Sequence, residues 1–324
     1  MKYELYCQNS VTGTLYDITD LAGTITHTTH IDGQPGKLTF DLLNDPEGVL
    51  EIACGSIVTF SADDTDLFYG YVFTIDGDEL GNFKITAYDQ LRYLKNQEVY
   101  TTNGMTASEI FDRVCKDNLP NSRYEVVTPS TFVVADYYHV GRTLYQIIEY
   151  GIAETRDNVP DKLYLVRDSF GVMQFTERDM LRTNVILGEK SLLSHYNRTV
   201  SIDDDTYNYV KIYRDDKNVG NRGVWLESDP MTEKYWGKLQ LFERAPKDSN
   251  EAQIRELAQS LLKKHNRESQ TARLDAVGHV ELQAGSGFLL QIDALGLDQE
   301  MYVESAIHTY GTDHHTMSLE VEAL

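Results

Sequence analysis

A stretch near the N-terminus has a partial copy near the C-terminus, and this repeat constrains the fold more than any other feature. Residues 55–95 alternate polar and apolar side chains between turns at Asp63-Asp64 and Asp76-Gly77-Asp78. Such period-two patterning predicts an antiparallel meander. The copy begins at Gly285-Ser286, which matches Gly55-Ser56. We therefore expect two related β units, with chance similarity between two meanders as the alternative.

The repeat can be aligned beyond the two glycine–serine pairs. The alternation of polar and apolar residues matches residues 301–303 with 68–69 and residue 307 with 72–73. It also matches the predicted strand before each glycine–serine pair, residues 38–42 in the first copy and 272–276 in the second. The second copy is interrupted, because residues that do not belong to the repeat separate its early strands from its late ones.

Length and composition indicate an ordered protein of several domains. The chain has 324 residues, of which 41% are hydrophobic and 21 are tyrosines, whose rings suit a pleated surface. It contains no run of about 20 apolar residues that could cross a bilayer. Glu4 and the polar residues 8–10 interrupt any signal peptide, so we expect synthesis in the cytoplasm. Cys7, Cys54 and Cys115 lack metal-binding spacing and are predicted to be reduced.

The acidic charge is concentrated in the two repeat units. The formal net charge is −22; residues 1–92 carry −11, residues 269–324 carry −8 and residues 191–215 carry −1, whereas residues 216–268 carry +1. Charge placed this way favours an acidic surface that repels or steers a partner. An equally good interpretation is that it blunts exposed strand edges.

Nine acidic residues in the turns and strand ends of the two units are the candidate functional residues. We predict that they contribute to an acidic channel or ring surface. They are Asp63, Asp64, Asp66, Asp76, Asp78, Glu79, Asp293, Asp298 and Glu300.

The hydrophobic period divides the chain into four parts. Residues 1–92 are predicted to be a small β-barrel and residues 93–190 an α+β domain. Residues 191–215 together with 269–324 are predicted to be the second, discontinuous barrel, and the strand expected at Tyr207 to Tyr213 belongs to it. Residues 216–268 form the insertion. The predicted fold class is mainly β with α+β parts.

Three capping boxes predict where the helices begin. The pairs are Thr106 with Glu109 and Thr143 with Gln146. In each pair the Thr hydroxyl can accept from the backbone N–H three residues later, and the Glu or Gln side chain can accept from the backbone N–H of the Thr. In the insertion, Asp248 and Glu251 have the same spacing before an amphipathic run.

The sequence offers little for catalysis, cofactors or metals. His308, Asp313, His314 and His315 are close in sequence, but the last three are predicted to be a polar hairpin tip rather than a metal site. No phosphate-binding loop and no GxSxG elbow is present. We predict no cofactor, no metal and no enzymatic activity.

Several segments, in order along nearly the whole chain, carry a family resemblance. They are FYGYVF at 68–73, KITAYDQLRYL at 84–94, MTASEI at 105–110, LGEKSLL at 187–193, YWGKLQ at 235–240, AQSLL at 258–262 and HTMSL at 315–319. In these segments the chain resembles the hub proteins of contractile phage tails, the family of the XkdQ/YqbQ proteins of PBSX-type prophages. No single segment is a chemical signature.

The resemblance implies the fold of the T-even baseplate hub and phage late control protein D, with two tube-like β-barrel domains. It implies a homotrimer that joins a hexameric tail tube protein to a trimeric central spike and contacts other baseplate proteins. The two barrels of each chain would then form a pseudo-sixfold ring. It implies a structural protein of a phage, defective prophage or R-type bacteriocin, made in the bacterial cytoplasm and located in the tail baseplate. No membrane or specific nucleic acid partner is expected.

Two other functions remain open from the residues themselves. The chain has 51 carboxylates, so a tail-associated cell-wall or glycan hydrolase with paired acids is one alternative. A carbohydrate-binding module that uses Trp225 and Trp236 as stacking platforms is the other. Because the chain ends at Leu324 directly after the second β unit, we expect no appended lysozyme domain.

Overall fold

The computed structural model describes residues 2–42, 50–79, 81–159, 161–203, 205–214, 223–245, 249–293, 296–311 and 314–323. They form two compact units, one of residues 1–197 and 273–324 and one of residues 198–272. None of the helices in this described part is long and apolar enough to span a membrane.

The first half of the chain contains strands and two helices. In order they are β1 (Tyr3–Gln8), β2 (Leu15–Asp17), β3 (Ala22–His30), β4 (Lys37–Leu42), β5 (Ile57–Ala62), β6 (Thr65–Gly77), β7 (Phe83–Tyr88), β8 (Gln97–Thr102), α1 (Ala107–Asn118), β9 (Arg123–Val126), β10 (Tyr137–Thr143), α2 (Leu144–Asn158), β11 (Tyr164–Asp168) and β12 (Val172–Glu177).

The second half adds nine strands and two helices to this part of the structure. They are β13 (Arg182–Gly188), β14 (Leu193–Ser201), β15 (Tyr209–Arg214), β16 (Gly223–Ser228), α3 (Pro230–Trp236), β17 (Gln240–Arg244), α4 (Glu251–His265), β18 (Ser269–Val277), β19 (Gly287–Ile292), β20 (Leu297–Tyr310) and β21 (His315–Ala323). Short 3-10 helices lie at Thr19–Leu21, Gln90–Lys95 and Arg178–Leu181.

One 13-stranded sheet contains both repeat units. Its order is β14-β18-β21-β20-β3-β4-β7-β6-β5-β1-β2, with β19 on β20 and β13 on β19. The pair β20–β3 joins the second repeat unit to the first, and no pair among the described strands closes either unit into a barrel. The predicted mainly β fold with α+β parts is confirmed.

The α+β part has its own core. Helices α1 and α2 pack on the sheet β11-β12-β9 around buried Phe111, Ile148 and Phe175. Both predicted capping boxes are confirmed: the Thr106 hydroxyl accepts from Glu109 N and the Thr143 hydroxyl from Gln146 N. In each helix the capping box satisfies two backbone N–H groups, those of the N-cap residue and of the third helical residue.

The smaller unit corrects two details of the sequence interpretation. The expected strand β15 exists, but it pairs with β16 and β17 in a separate three-stranded sheet and not with strands of the second β unit. Helix α4 begins at Glu251, so its capping box is formed by Asn250 and Gln253 and not by Glu251. Asp248, the other predicted cap residue, lies outside the described residues.

Candidate assembly surface

The two repeat units share a backbone turn at a glycine whose φ agrees to within a degree. Gly55 has φ 88° and Gly285 has φ 89°, values that glycine adopts without strain. Gly55 N donates to Val72 O at 2.7 Å, and Gly285 N donates to Val303 O at 2.7 Å. The turn therefore makes Val303 the structural equivalent of Val72.

A β-bulge follows each of these valines and supports the same equivalence. The register of β6 against β7 shifts between Val72 and Thr74, and that of β20 against β21 shifts between Val303 and Ser305. The sequence alignment, which matched residues 301–303 with 68–69, is thus displaced by two residues there, and its match of residue 307 with 72–73 is displaced further. A displacement of two keeps every side chain on its face, so alternation alone cannot detect it.

In the second repeat, one edge of β20 has two partners. Residues 297–302 pair with β19, and residues 305–310 pair with β3 of the first repeat. In the first repeat, the same edge of β6 pairs with β5 as far as Tyr71. Beyond that point, no described strand pairs with this edge of β6. Cys54, which is exposed, lies beside it with Sγ 3.5 Å from Phe73 O.

Strand β14 is the counterpart of β3, and it too has an unpaired edge. Each is a nine-residue strand beside the strand that precedes its glycine–serine turn, β4 for β3 and β18 for β14. β3 lies between two strands, whereas β14 ends the sheet with no partner on its outer side among the described strands. Most side chains of β14 are exposed, including Val200 at 46%. We call the outer edge of β14 and the free half of β6 the two open edges.

The pairing of β3 with β20 within one chain, which we call the intrachain joint, shows how a strand can pair with an edge of this kind. Ala284, which precedes Gly285, donates its N–H to the Thr29 hydroxyl at 3.0 Å. Cys54 precedes Gly55 in the same way, and Val200 occupies in β14 the position that Thr29 occupies in β3, the eighth of the strand. Cys54 and Val200 are thus the equivalents of two residues in contact.

All nine candidate acidic residues are exposed, and the structure divides them between the two ends of the repeat unit. One group lies at the β5–β6 turn and the equivalent β19–β20 turn: Asp63, Asp64, Asp66, Asp293, Asp298 and Glu300. The other group, Asp76, Asp78 and Glu79, lies at the far end of β6, roughly 30 Å along an extended strand. They do not form one patch within the chain.

Three of the acidic residues in the second repeat have partners. Asp293 pairs with Lys190 at 2.6 Å and Glu300 with Arg182 at 3.2 Å, while the Gln291 amide donates to Asp298 at 3.3 Å. These pairs are exposed, so their contribution to stability is small. The two ion pairs partly neutralise the second repeat. In the first repeat Asp63 accepts a hydrogen bond from Lys2 N at 3.1 Å, and Asp63 and Asp64 lie in a turn with positive φ.

A buried histidine cluster occupies the joint between the repeats. His308 on β20 lies directly opposite His27 on β3. Its Nδ1 is 2.9 Å from His315 Nε2, and its Nε2 is 2.9 Å from Leu282 O. Since a carbonyl only accepts, His308 Nε2 carries the proton and Nδ1 accepts from His315. Burial lowers the pKa of His27 to about 3 and those of His308 and His315 to about 4.

Sequence reasoning missed this cluster. It expected a polar hairpin tip at residues 313–315, but His315 is buried at the start of β21, and Asp313 lies outside the described residues. His27 and His308 are far apart in sequence, so only the pairing of β3 with β20 brings them together. In the described part of the chain no group of three or more His, Cys, Asp or Glu side chains could hold a metal ion.

The two tryptophans do not form an open stacking platform. Trp225 packs against the core of the smaller unit, beside Ile254 and Ala258 of α4, with the Arg214 guanidinium 5.2 Å from its ring. Trp236 is the last residue of α3 and is partly buried. This packing disfavours the carbohydrate-binding alternative as it stands in the sequence.

The chain is similar to known proteins in both sequence and fold. The family model described as YqbQ-like matches residues 25–322. The phage-like element PBSX protein XkdQ of Bacillus subtilis strain 168 is 26% identical over 282 residues, 82% of this chain and 81% of that protein.

Two solved structures are similar in fold. The 43 kDa tail protein of prophage MuSo2 from Shewanella oneidensis has a TM-score of 0.72 at 15% identity, with 99% of this chain and 98% of that one covered. An Escherichia coli component of the type VI secretion system, similar in structure to the T4 tail proteins gp27 and gp5, has a TM-score of 0.57 at 8% identity, with 100% and 77% covered. At these identities the likeness establishes the fold alone.

Proposed function

This chain belongs to the YqbQ-like family, and from that premise we propose that it is the structural hub of a phage tail baseplate. The particle is a contractile phage tail or a related device, such as an R-type bacteriocin or a defective prophage. Three copies form a ring in which the two repeat units of each chain occupy six near-equivalent places. The protein acts by assembly and not by catalysis.

The single observation that carries this proposal is the complementarity of the two open edges. Within one chain, β3 fills the half-edge of β20. The equivalent half-edge of β6 is unfilled, and β14, the equivalent of β3, has no partner on its outer side among the described strands. A second copy can therefore add its β14 to β6 by the same main-chain pairing that already joins the two repeats.

This contact is head-to-tail, so it forms either a closed ring or an open filament. Because the contact between chains repeats the contact within a chain, it also repeats the rotation between units. Closure at three chains gives six units with alternating joints, three of the β20–β3 kind and three of the β6–β14 kind. The backbone of such a ring has approximate sixfold symmetry, whereas its side chains repeat with exact threefold symmetry.

The symmetry defines the partners that we propose. A near-sixfold face fits the hexameric tail tube protein, and a threefold face fits a trimeric central spike, with other baseplate proteins outside. The name of the relative XkdQ assigns it to a phage-like element, and the similar structure from prophage MuSo2 is that of a tail protein. Both support a place in the tail of the particle, after synthesis in the bacterial cytoplasm. We propose no membrane partner and no specific nucleic acid partner.

In this ring the acidic turns would repel negatively charged cargo. The ring would carry three copies of the group at the β5–β6 turn, which includes Asp63 and Asp66. They would alternate with three copies of the group at the β19–β20 turn, which includes Asp293 and Glu300, so that six acidic turns lie at one end. A ring of carboxylates repels DNA and acidic cargo and prevents them from adhering in transit. The positions of these residues on equivalent turns support this role.

The solution mass of the full chain tests the proposed function. We expect light scattering with size-exclusion chromatography to give three chains per particle, alone or with the spike protein of the same operon. A stable monomer under both conditions would refute the hub. A peptidoglycan zymogram tests the hydrolase alternative, and clearance that a single Asp or Glu substitution abolishes would establish it instead.

A further inference from the structure

In the part of the smaller unit that the structure describes, one face of the sheet is uncovered. Helix α4 packs on the opposite face, against buried Val210 and Ile212 of the central strand β15. The strand registers place nine side chains on the uncovered face in three rows. The rows are Val224, Tyr213 and Arg244; Leu226, Lys211 and Phe242; and Ser228, Tyr209 and Gln240. We call this set the open face.

The open face combines exposed apolar groups with positive charge. Val224, Leu226 and Phe242 are 46%, 52% and 54% exposed, although a sheet normally buries such side chains. Lys211 and Arg244 are in the rows, Lys238 reaches over the Tyr209 ring at 3.3 Å, and none of the nine residues is acidic. In a chain of net charge −22 this composition is unusual and indicates a binding surface.

The aromatic rings on this face are already engaged with one another and with cations. Tyr213 and Phe242 stack with centroids 4.9 Å apart and 11° between planes. Lys211 Nζ lies 5.7 Å from the Phe242 centroid, and Lys238 covers Tyr209. Bases and sugars bind by stacking on free ring faces, and here those faces are partly occupied. The net negative charge of the chain also opposes a nucleic acid.

We propose that the open face docks an acidic segment of another protein of the particle, which places carboxylates on Lys211 and Lys238 and an apolar side chain on Leu226 and Phe242. Charge complementarity selects this occupant, because Lys211 and Lys238 lie beside an apolar centre and none of the nine residues of the rows is acidic. This inference does not depend on the ring, since every residue in it belongs to the smaller unit.

The test uses the full chain and three probes: a random copolymer of Glu and Tyr, oligo(dT) and the hexamer of N-acetylglucosamine. We expect calorimetry to show saturable binding of the acidic copolymer alone, weakened by added salt. The pair Lys211→Glu with Lys238→Glu should weaken it at least tenfold, and Leu226→Glu should do the same without loss of a cation.

The matched control is Arg255→Glu with Lys263→Glu, which removes the same charge from exposed positions of α4. We expect it to change the affinity less than twofold, and circular dichroism checks that all variants fold. Equal weakening by both pairs would show binding by net charge only and refute the site. Tighter binding of oligo(dT) or of the sugar would assign the face to that ligand class instead. Neither result bears on whether the chain forms trimers.

Discussion

Val200→Pro is expected to convert the proposed ring into monomers while leaving the chain folded. Ile31 N donates to Glu304 O at 3.1 Å across the intrachain joint. Amides of alternate residues point to the same neighbour in an antiparallel ladder, so the N–H of Thr29 also faces β20. By the equivalence of the two strands, the N–H of Val200 faces outward from β14, towards the chain that would fill this edge.

Proline removes that donor and places its ring in the path of the partner strand, yet an outward position on an edge strand tolerates proline in the monomer. The change occurs at all three joints between chains. We therefore expect association to weaken at least about 100-fold, or about 3 kcal/mol. Light scattering over a dilution series measures it, with Val200→Thr as the control that keeps a β-branched side chain and the amide. A folded Val200→Pro trimer would show that this edge is not the joint.

Acid is expected to destabilise the larger unit through the histidines at the joint of the two repeats. Their pKa values, about 3 for His27 and about 4 for His308 and His315, lie below the ordinary value of 6.5 because burial disfavours the charged imidazolium. Above pH 6.5 the histidines are neutral both folded and unfolded, so they do not affect stability. As the pH falls from about 6.5 towards 4, the unfolded chain takes up protons that the folded chain excludes, and stability is lost.

The charged groups around the cluster do not reverse this direction. His308 adds to the lowering at His27 and His315, and His279 acts in the same sense on His308, while the Asp63 carboxylate opposes it weakly at His315. At pH 5 one histidine with a folded pKa of about 3 costs about 2 kcal/mol.

His27→Phe tests this expected loss, because Nδ1 of His27 has no hydrogen-bond partner among the described residues and the ring already packs edge-on against Phe68. Urea unfolding at pH 7 and pH 5 should show an acid loss about 2 kcal/mol smaller in His27→Phe than in the wild type. The exposed His314→Gln is the control and should behave like the wild type. An unchanged acid loss in His27→Phe would contradict the assignment.

Local patterns were sufficient for the starts of two helices and for the two equivalent glycine–serine turns. Thr106 with Glu109 and Thr143 with Gln146 defined two helix starts, because a capping box depends only on residues three apart. The pair Gly55-Ser56 and its copy Gly285-Ser286 identified equivalent turns, since few residues other than glycine adopt a φ near 90°.

The contacts that matter for assembly were not predictable in the same way. The register of β20 was misplaced by two residues, because alternation is unchanged by a shift of two. The pairing of His308 with His27 is non-local and leaves no pattern in the sequence. The open edges depend on which strand lacks a neighbour, and no single segment encodes that property. The resemblance to tail hubs identified the family from the sequence. The strand pairing in the structure was needed to identify the edges by which copies would join.

A disulfide between copies tests the ring most directly. In the intrachain joint the residue before Gly285 contacts Thr29, and the equivalents of these two residues are the exposed Cys54 and Val200. A single substitution, Val200→Cys, therefore places two thiols across each proposed joint between chains. Cys7 and Cys115 are buried and should not react. Cys54→Ser in the same background removes one partner, and Val277→Cys on the exposed side of β18 is the positional control.

After mild oxidation, we predict that the Val200→Cys chain runs as a covalent trimer on a non-reducing denaturing gel. Reduction should return it to monomer, and neither control should form the trimer. If the chain is trimeric in solution and Val200→Cys nevertheless gives no crosslink, or gives one that persists after Cys54→Ser, the copies do not join β6 to β14 and the pseudo-sixfold ring proposed here is contradicted.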